Sequence, residues 1–137
     1  MKNKKVLIVS ARYYTDYSLL LENFASRCLT RENIKFKIIK VPGVFEIPVT
    51  ISKNIKKYDG FVALGCVIKG ETPHFDFISQ ATTNAIMQLS VDHKKPIGNG
   101  IITALNNKQA FKRSSKKGGE ASSAVISVLS QKNVTTI

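Results

Sequence analysis

One short segment, Gly70-Glu71-Thr72-Pro73-His74-Phe75, collects residue types suited to moving protons beside an anion. Thr72 can cap a helix whose first residue is Pro73, the position where a missing N–H costs nothing, and His74 then falls in the first turn. The free N–H groups and positive potential of a helix start suit a phosphate oxygen. A neutral imidazole near pH 7 can accept and return a proton. Gly70 lets the backbone approach a ligand closely, which a side chain would prevent. Taken alone, the segment leaves two readings open for His74: a proton-transfer group, or a second capping or surface residue.

A second segment, Val41-Pro42-Gly43-Val44-Phe45-Glu46, follows a similar logic. Pro42-Gly43 predicts a tight turn, and Glu46 opens a helix with Pro48 in its first turn. Glu46 could hydrogen-bond substrate hydroxyls. It could equally just complement the helix dipole, worth about 0.3–1 kcal/mol.

What must position these segments is read from hydrophobic periodicity. Lys5 to Ser10, Lys35 to Val41, Gly60 to Ile68 and Ile97 to Thr103 are short β-branched runs, apolar enough for parallel strands covered on both faces. Between them, apolar residues recur at helical spacing: Tyr17, Leu20, Leu21, Phe24 and Cys28; Ile47, Ile51 and Ile55; Phe75, Ile78, Thr82, Ala85 and Leu89. Gly118-Gly119 predicts a break between a short helix ending near Arg113 and a last helix carrying Ala121, Val125, Val128 and Leu129. The class is a three-layer α/β sandwich. Ligands of open parallel sheets bind outside the carboxyl ends of the strands. Ala11-Arg12-Tyr13-Tyr14, the two segments above and Ala104-Leu105-Asn106 all follow strands, so the unusual polar and aromatic residues gather on one edge.

The 137 residues suit a single domain spanning 1–137. Val6 to Val9 is too short for a signal-peptide core or a membrane span, and it is followed by Arg12. Cys28 and Cys66 have no CxxC or metal-ligand spacing and read as buried reduced thiols, which suits the cytoplasm. The formal charge of +12 raises nucleic acid as a partner. Against it, the basic residues are 17 Lys and four Arg, spread as singles and pairs without interleaved stacking aromatics. Recognition of base edges leans on arginine, and no nucleic-acid-binding motif is present. A solvated lysine-rich surface that attracts anionic substrates accounts for the charge.

Two longer stretches, Val41-Pro42-Gly43-Val44-Phe45-Glu46-Ile47-Pro48 and Ala63-Leu64-Gly65-Cys66-Val67-Ile68-Lys69-Gly70-Glu71-Thr72-Pro73-His74-Phe75-Asp76-Phe77, closely resemble the 6,7-dimethyl-8-ribityllumazine synthase family. The resemblance continues through Pro96 to Thr103, Gln109-Ala110 with Arg113, and Lys117-Gly118-Gly119-Glu120-Ala121. It implies a flavodoxin-like domain with a four-stranded parallel sheet, working without metal or organic cofactor. The implied reaction condenses 5-amino-6-(D-ribitylamino)uracil with 3,4-dihydroxy-2-butanone 4-phosphate to 6,7-dimethyl-8-ribityllumazine, phosphate and water, the penultimate step of riboflavin biosynthesis. A homologue that binds flavin or lumazine without catalysis is the alternative.

Residue by residue, the resemblance makes His74 the proton carrier, Arg113 the phosphate-binding arginine, and Glu71 with Thr72 the completion of that anion site. Tyr13 falls where the family stacks a Phe on the pyrimidine. Val44, Phe45 and Glu46 hold the ring and ribityl chain, and Val67, Ile68 and Lys69 belong to the same pocket. Lys117 matches a lysine that contacts the pyrimidine, and Asn99 a position near the ring. Family sites lie between subunits, with Asn99, Arg113 and Lys117 supplied by the neighbour. Three features depart from the family pattern: Tyr14 replaces an amide, Ala81 replaces a common Glu, and the Arg113–Lys117 connection is about four residues shorter than in many members. Family members form pentamers, some of which build sixty-subunit capsids. The shortened connection favours the free pentamer, with no nucleic acid or membrane partner.

Overall fold

The computed structural model describes residues 3–70 and 74–131. In chain order they form β1 (Lys5–Ala11), α1 (Thr15–Arg31), β2 (Lys35–Val41), a 3-10 turn (Val44–Glu46), α2 (Ile47–Asn54), β3 (Gly60–Ile68), α3 (His74–His93), β4 (Ile97–Ala104) and α4 (Asn107–Leu129). The strands make one sheet of order β2-β1-β3-β4, every pairing parallel. This is the flavodoxin-like arrangement, in which the chain leaves the first strand in one direction and returns to its other side. Ala11 lies opposite Val41, and Ile68 opposite Ala104, so the carboxyl ends of neighbouring strands finish together.

The strands form where periodicity predicts them because β1 and β3 are covered on both faces. From Val6 to Ala11 and from Gly60 to Cys66 every residue is buried. Alternate residues feed two cores. Val6, Ile8, Val62 and Leu64 pack with α1 and α4, and Leu7, Val9, Phe61 and Ala63 pack with α2 and α3. Each fully buried Leu, Ile, Val or Phe contributes about 1.5–3 kcal/mol of transfer free energy.

The helices differ from expectation in two places. The stripe that α1 buries is Ser18, Leu21, Glu22, Ala25, Cys28 and Leu29, rotated from the predicted face so that two polar residues lie inside while Leu20 and Phe24 sit on its flank. The predicted break at Gly118-Gly119 does not exist, because α4 runs unbroken through both glycines for 23 residues. A Cβ on Gly118 would lie 2.1 Å from the carbonyl oxygen of Leu21 and 3.2 Å from the backbone nitrogen of Ala25. The glycine lets α4 touch α1 backbone to backbone, and Ser122 Oγ donates to the Ala25 carbonyl at 3.1 Å one turn further on. Tertiary packing here overrides the low helix propensity of glycine, about 1 kcal/mol per residue. On the last turns Ala121 and Val125 are buried and Leu129 packs on the core, whereas Val128 is exposed.

Candidate active site

The connection from β1 to α1 is three residues, Arg12-Tyr13-Tyr14, and carries the aromatic end of the site. Tyr14 stands at the N-cap of α1 but gives it no side-chain hydrogen bond. Ser18 secures the turn instead, donating from Oγ to the Ala11 and Tyr14 carbonyls. Tyr13 and Tyr14 meet edge to face, with ring centroids 4.9 Å apart at 85°. Tyr17 continues the series and donates its hydroxyl to Asn107 Oδ1 at 3.0 Å, joining the connection to the start of α4.

After β2, Gly43 is extended at φ −144°, and the chain turns in the 3-10 segment that follows. Glu46 Oε1 accepts from the Gly43 N–H at 2.9 Å, which folds this side chain back on its own turn. The turn lies flat on β3 because Gly65 has no side chain. A Cβ there would stand 2.5 Å from Val44 Cγ1 and 3.1 Å from Ala11 Cβ.

These segments meet the end of β3 and the first turn of α3 around one hollow of about 500 Å³. Tyr13, Val44, Phe45, Val67, Ile68 and His74 all line it, so six of the residues expected at the site come together. Gly70 borders it too, and a Cβ there would meet nothing within 4 Å. His74 is exposed, as are Tyr13 and Phe45, which present 73% and 62% of their surface to solvent. An aromatic that exposed on a short, well-tied loop is available to a ligand.

Glu46 and Lys69 are not among the lining residues. Lys69 is exposed, with its backbone N–H donating to the Ala104 carbonyl at 2.9 Å. Glu71, Thr72 and Pro73, with the expected cap and anion contacts, lie outside the described residues. Tyr14, Cys66 and Ile78 also line the hollow. Ile78 was legible as a wall residue, because a residue four positions after His74 shares its helix face. Burial pushes the Cys66 thiol up to about 11. The Tyr14 phenol is raised as well, chiefly by burial, then by Tyr13, Cys66 and Tyr17. Among the described residues, no three of His, Cys, Asp and Glu form a group that could hold a metal ion, and no helix is long and apolar enough to cross a membrane.

Arg113 and Lys117 line a different hollow, of about 580 Å³, formed by β4 and α4 with Thr103, Lys112, Lys116 and Glu120. The two hollows share no lining residue. Because α4 packs on the α1 side of the sheet and α3 on the α2 side, Arg113 and His74 belong to helices of opposite faces. Arg113 Nη1 donates to the Thr103 carbonyl. Asn99 is exposed on the edge strand β4, its Oδ1 accepting from the Ile101 N–H at 3.0 Å. Arg113 and Lys117 are four apart on the unbroken α4 and so share a face, which a loop between them would not have guaranteed.

Fold and hollow together define an α/β protein with room for a small molecule at the carboxyl edge of its parallel sheet. The sequence pattern of 6,7-dimethyl-8-ribityllumazine synthase matches residues 3–133. Proteins named 6,7-dimethyl-8-ribityllumazine synthase are similar over most of the chain. The one from Agrobacterium fabrum is 41% identical, covering 96% of this chain and 97% of its own length. That from Bartonella henselae is 42% identical over 96% and 90%, and that from Beijerinckia indica subsp. indica 38% identical over 92% and 74%. The chain belongs to the 6,7-dimethyl-8-ribityllumazine synthase family, whose members are transferases.

Proposed function

We infer that the chain condenses 5-amino-6-(D-ribitylamino)uracil with 3,4-dihydroxy-2-butanone 4-phosphate to give 6,7-dimethyl-8-ribityllumazine, phosphate and water, a step in riboflavin biosynthesis. The observation that carries this reading, beside membership of the family, is the convergence of Tyr13, Val44, Phe45, Val67, Ile68 and His74 from four separate segments on one hollow. The pyrimidine stacks on the exposed ring of Tyr13, and Val44, Phe45, Val67 and Ile68 supply apolar walls.

Amine attack on the ketone forms an imine and releases water, phosphate is eliminated, the second nitrogen attacks the remaining carbonyl to close the ring, and a second water is lost. Each step moves a proton, and a positioned imidazole can give and take it, an effect worth about 10²–10⁴-fold. His74 is the group we assign to that work. Holding two small reactants in one orientation supplies the rest, since proximity alone removes about 7–11 kcal/mol from a bimolecular barrier at best. Glu46, once released from Gly43 or through its second oxygen, hydrogen-bonds the ribityl hydroxyls. Lys69 we assign to substrate binding in the same pocket, and Glu71 with Thr72 to completing the anion site.

The phosphate needs Arg113, whose guanidinium can grip it bidentately. Arg113 and His74 sit on helices of opposite faces and line separate hollows, which supports pairing the arginine of one chain with the histidine of a second copy. We therefore propose a homo-oligomer in which Asn99, Arg113 and Lys117 complete the neighbour's site, in the form of a free pentamer and not a sixty-subunit capsid. The two buried, free cysteines among the described residues suit a cytoplasmic enzyme. The direct test is to mix the protein with both substrates and follow the lumazine chromophore together with phosphate release. Product formation no faster than the uncatalysed background would overturn the reading, and light scattering that finds megadalton particles would overturn the pentamer.

A further inference from the structure

Glu22 is a carboxylate on the buried stripe of α1, only 8% exposed, in a position that an apolar side chain would fill at no electrostatic cost. Three donors converge on its two oxygens. Ser10 Oγ donates to Oε2 at 2.6 Å, Arg12 Nε to the same oxygen at 2.6 Å, and Arg12 Nη2 to Oε1 at 2.8 Å. A fork of this kind is geometrically demanding, because two nitrogens of a planar guanidinium must meet both oxygens of a planar carboxylate. It therefore fixes the direction of the Arg12 side chain as well as its position. Backbone bonding fixes the same residue from the other side, since the Arg12 N–H donates to the Val41 carbonyl at 2.8 Å and its own carbonyl accepts from Thr15 Oγ1 at 3.3 Å.

What the fork holds is the residue before Tyr13. Arg12 turns toward α1, and Tyr13 faces the hollow on the other side of the connection. Tyr13 itself has no polar tether among the hydrogen bonds of the described residues and is the most exposed large apolar residue among them. Its ring meets Tyr14 edge to face, and the direction in which it leaves the chain depends on the backbone that Arg12 anchors. A buried ion pair at this place is a poor route to stability but a good one to a single geometry.

We propose that Arg12 and Glu22, assisted by Ser10, are positioning residues for the pyrimidine substrate: their fork sets the plane of the Tyr13 ring. The inference rests on the proposed condensation and adds to it the residues that orient the stacking face. Arg12→Lys keeps the charge and loses the fork, Glu22→Gln keeps the shape and loses the charge, and Ser10→Ala removes one donor from the same oxygen.

The test is steady-state kinetics with each substrate varied in turn. Arg12→Lys and Glu22→Gln raise KM for the aminopyrimidine about tenfold, a partial loss of base–aromatic stacking, while KM for the butanone phosphate stays within about twofold and kcat falls by less. Ser10→Ala shifts the same constant in the same direction by about two- to threefold, weaker because the fork survives. If Arg12→Lys does not fold, Ser10→Ala decides. In a Tyr13→Ala background the fork variants have nothing left to orient, so Glu22→Gln adds no further change to KM there. Equal rises in KM for both substrates, or an effect of Glu22→Gln that persists without Tyr13, would overturn the proposal. A wild-type protein that makes no lumazine overturns the proposed function instead, an outcome separate from a wild type that turns over and variants that match it.

Discussion

On one face of the sheet, α1 and α4 approach until Gly118 lies against the backbone of Leu21, and Leu21, Ala25, Leu29 and Val125 are fully buried between them and the strands. On the other face, α3 buries only Thr82 and Ile86 of its 20 residues. Phe77, Met87, Val91 and, on α2, Val49 stand 58–64% exposed. The first face is the more closely packed, although Phe111 on α4 and Leu19 on α1 stay exposed. The second leaves large apolar side chains for another surface to cover, and it is also the face that carries His74 and Phe45. The two faces therefore differ in how much apolar surface they bury, and the proposed site draws on both, with His74 on the open face and Arg113 on the closely packed one.

The comparison can be broken most severely at His74. His74→Ala lowers kcat by about 10²–10⁴-fold, the usual worth of a general acid/base, with KM and the thermal midpoint almost unchanged. A variant that keeps its rate would remove His74 from the mechanism. On the closely packed face, Gly118→Val drives a side chain into the Leu21 carbonyl and destabilises the fold by about 3 kcal/mol, read as a lower denaturant midpoint. A loss under about 1 kcal/mol would mean that α1 and α4 can separate cheaply, against a contact this close. On the open face, Phe77→Lys leaves the helical circular dichroism intact and shifts sedimentation toward smaller species; unchanged sedimentation would place the assembly surface elsewhere. The smallest effect lies just beyond α3, where Lys94 holds φ 55°. Lys94→Gly relieves a left-handed residue and stabilises by about 0.5–1 kcal/mol net of glycine's own entropy, seen as a modest rise in the thermal midpoint.

Much of this was legible in the residues. The four strands lie where β-branched runs predicted them, each end within one residue, because strands buried on both faces leave an unbroken apolar signal. Tyr13, Val44, Phe45 and His74 lie in the segments after strand ends to which the parallel-sheet rule pointed, whereas Val67 and Ile68, inside β3, came from the family resemblance alone; all six line the hollow. The failures have physical causes. Gly118-Gly119 reads as a helix break by local propensity, and only the α1 backbone beside it explains why the helix continues. Ser18 and Glu22 were passed over because a hydrophobic stripe is sought among apolar residues, although their spacing of four matches the helix face. The folding of Glu46 onto Gly43 is a choice between hydrogen-bond partners that no pattern encodes.

The unbroken α4 has a mechanical consequence. At 23 residues it is a rod about 35 Å long, with Arg113 and Lys117 one turn apart and Gly118 wedged on α1 immediately after them. Neither cation can drift independently of the body of its own subunit. In the proposed assembly each subunit delivers the pair to its neighbour as a rigid fitting, and any tilt between subunits passes undamped to the phosphate. Specific activity thereby becomes a gauge of quaternary alignment, falling on dilution in step with the assembled fraction.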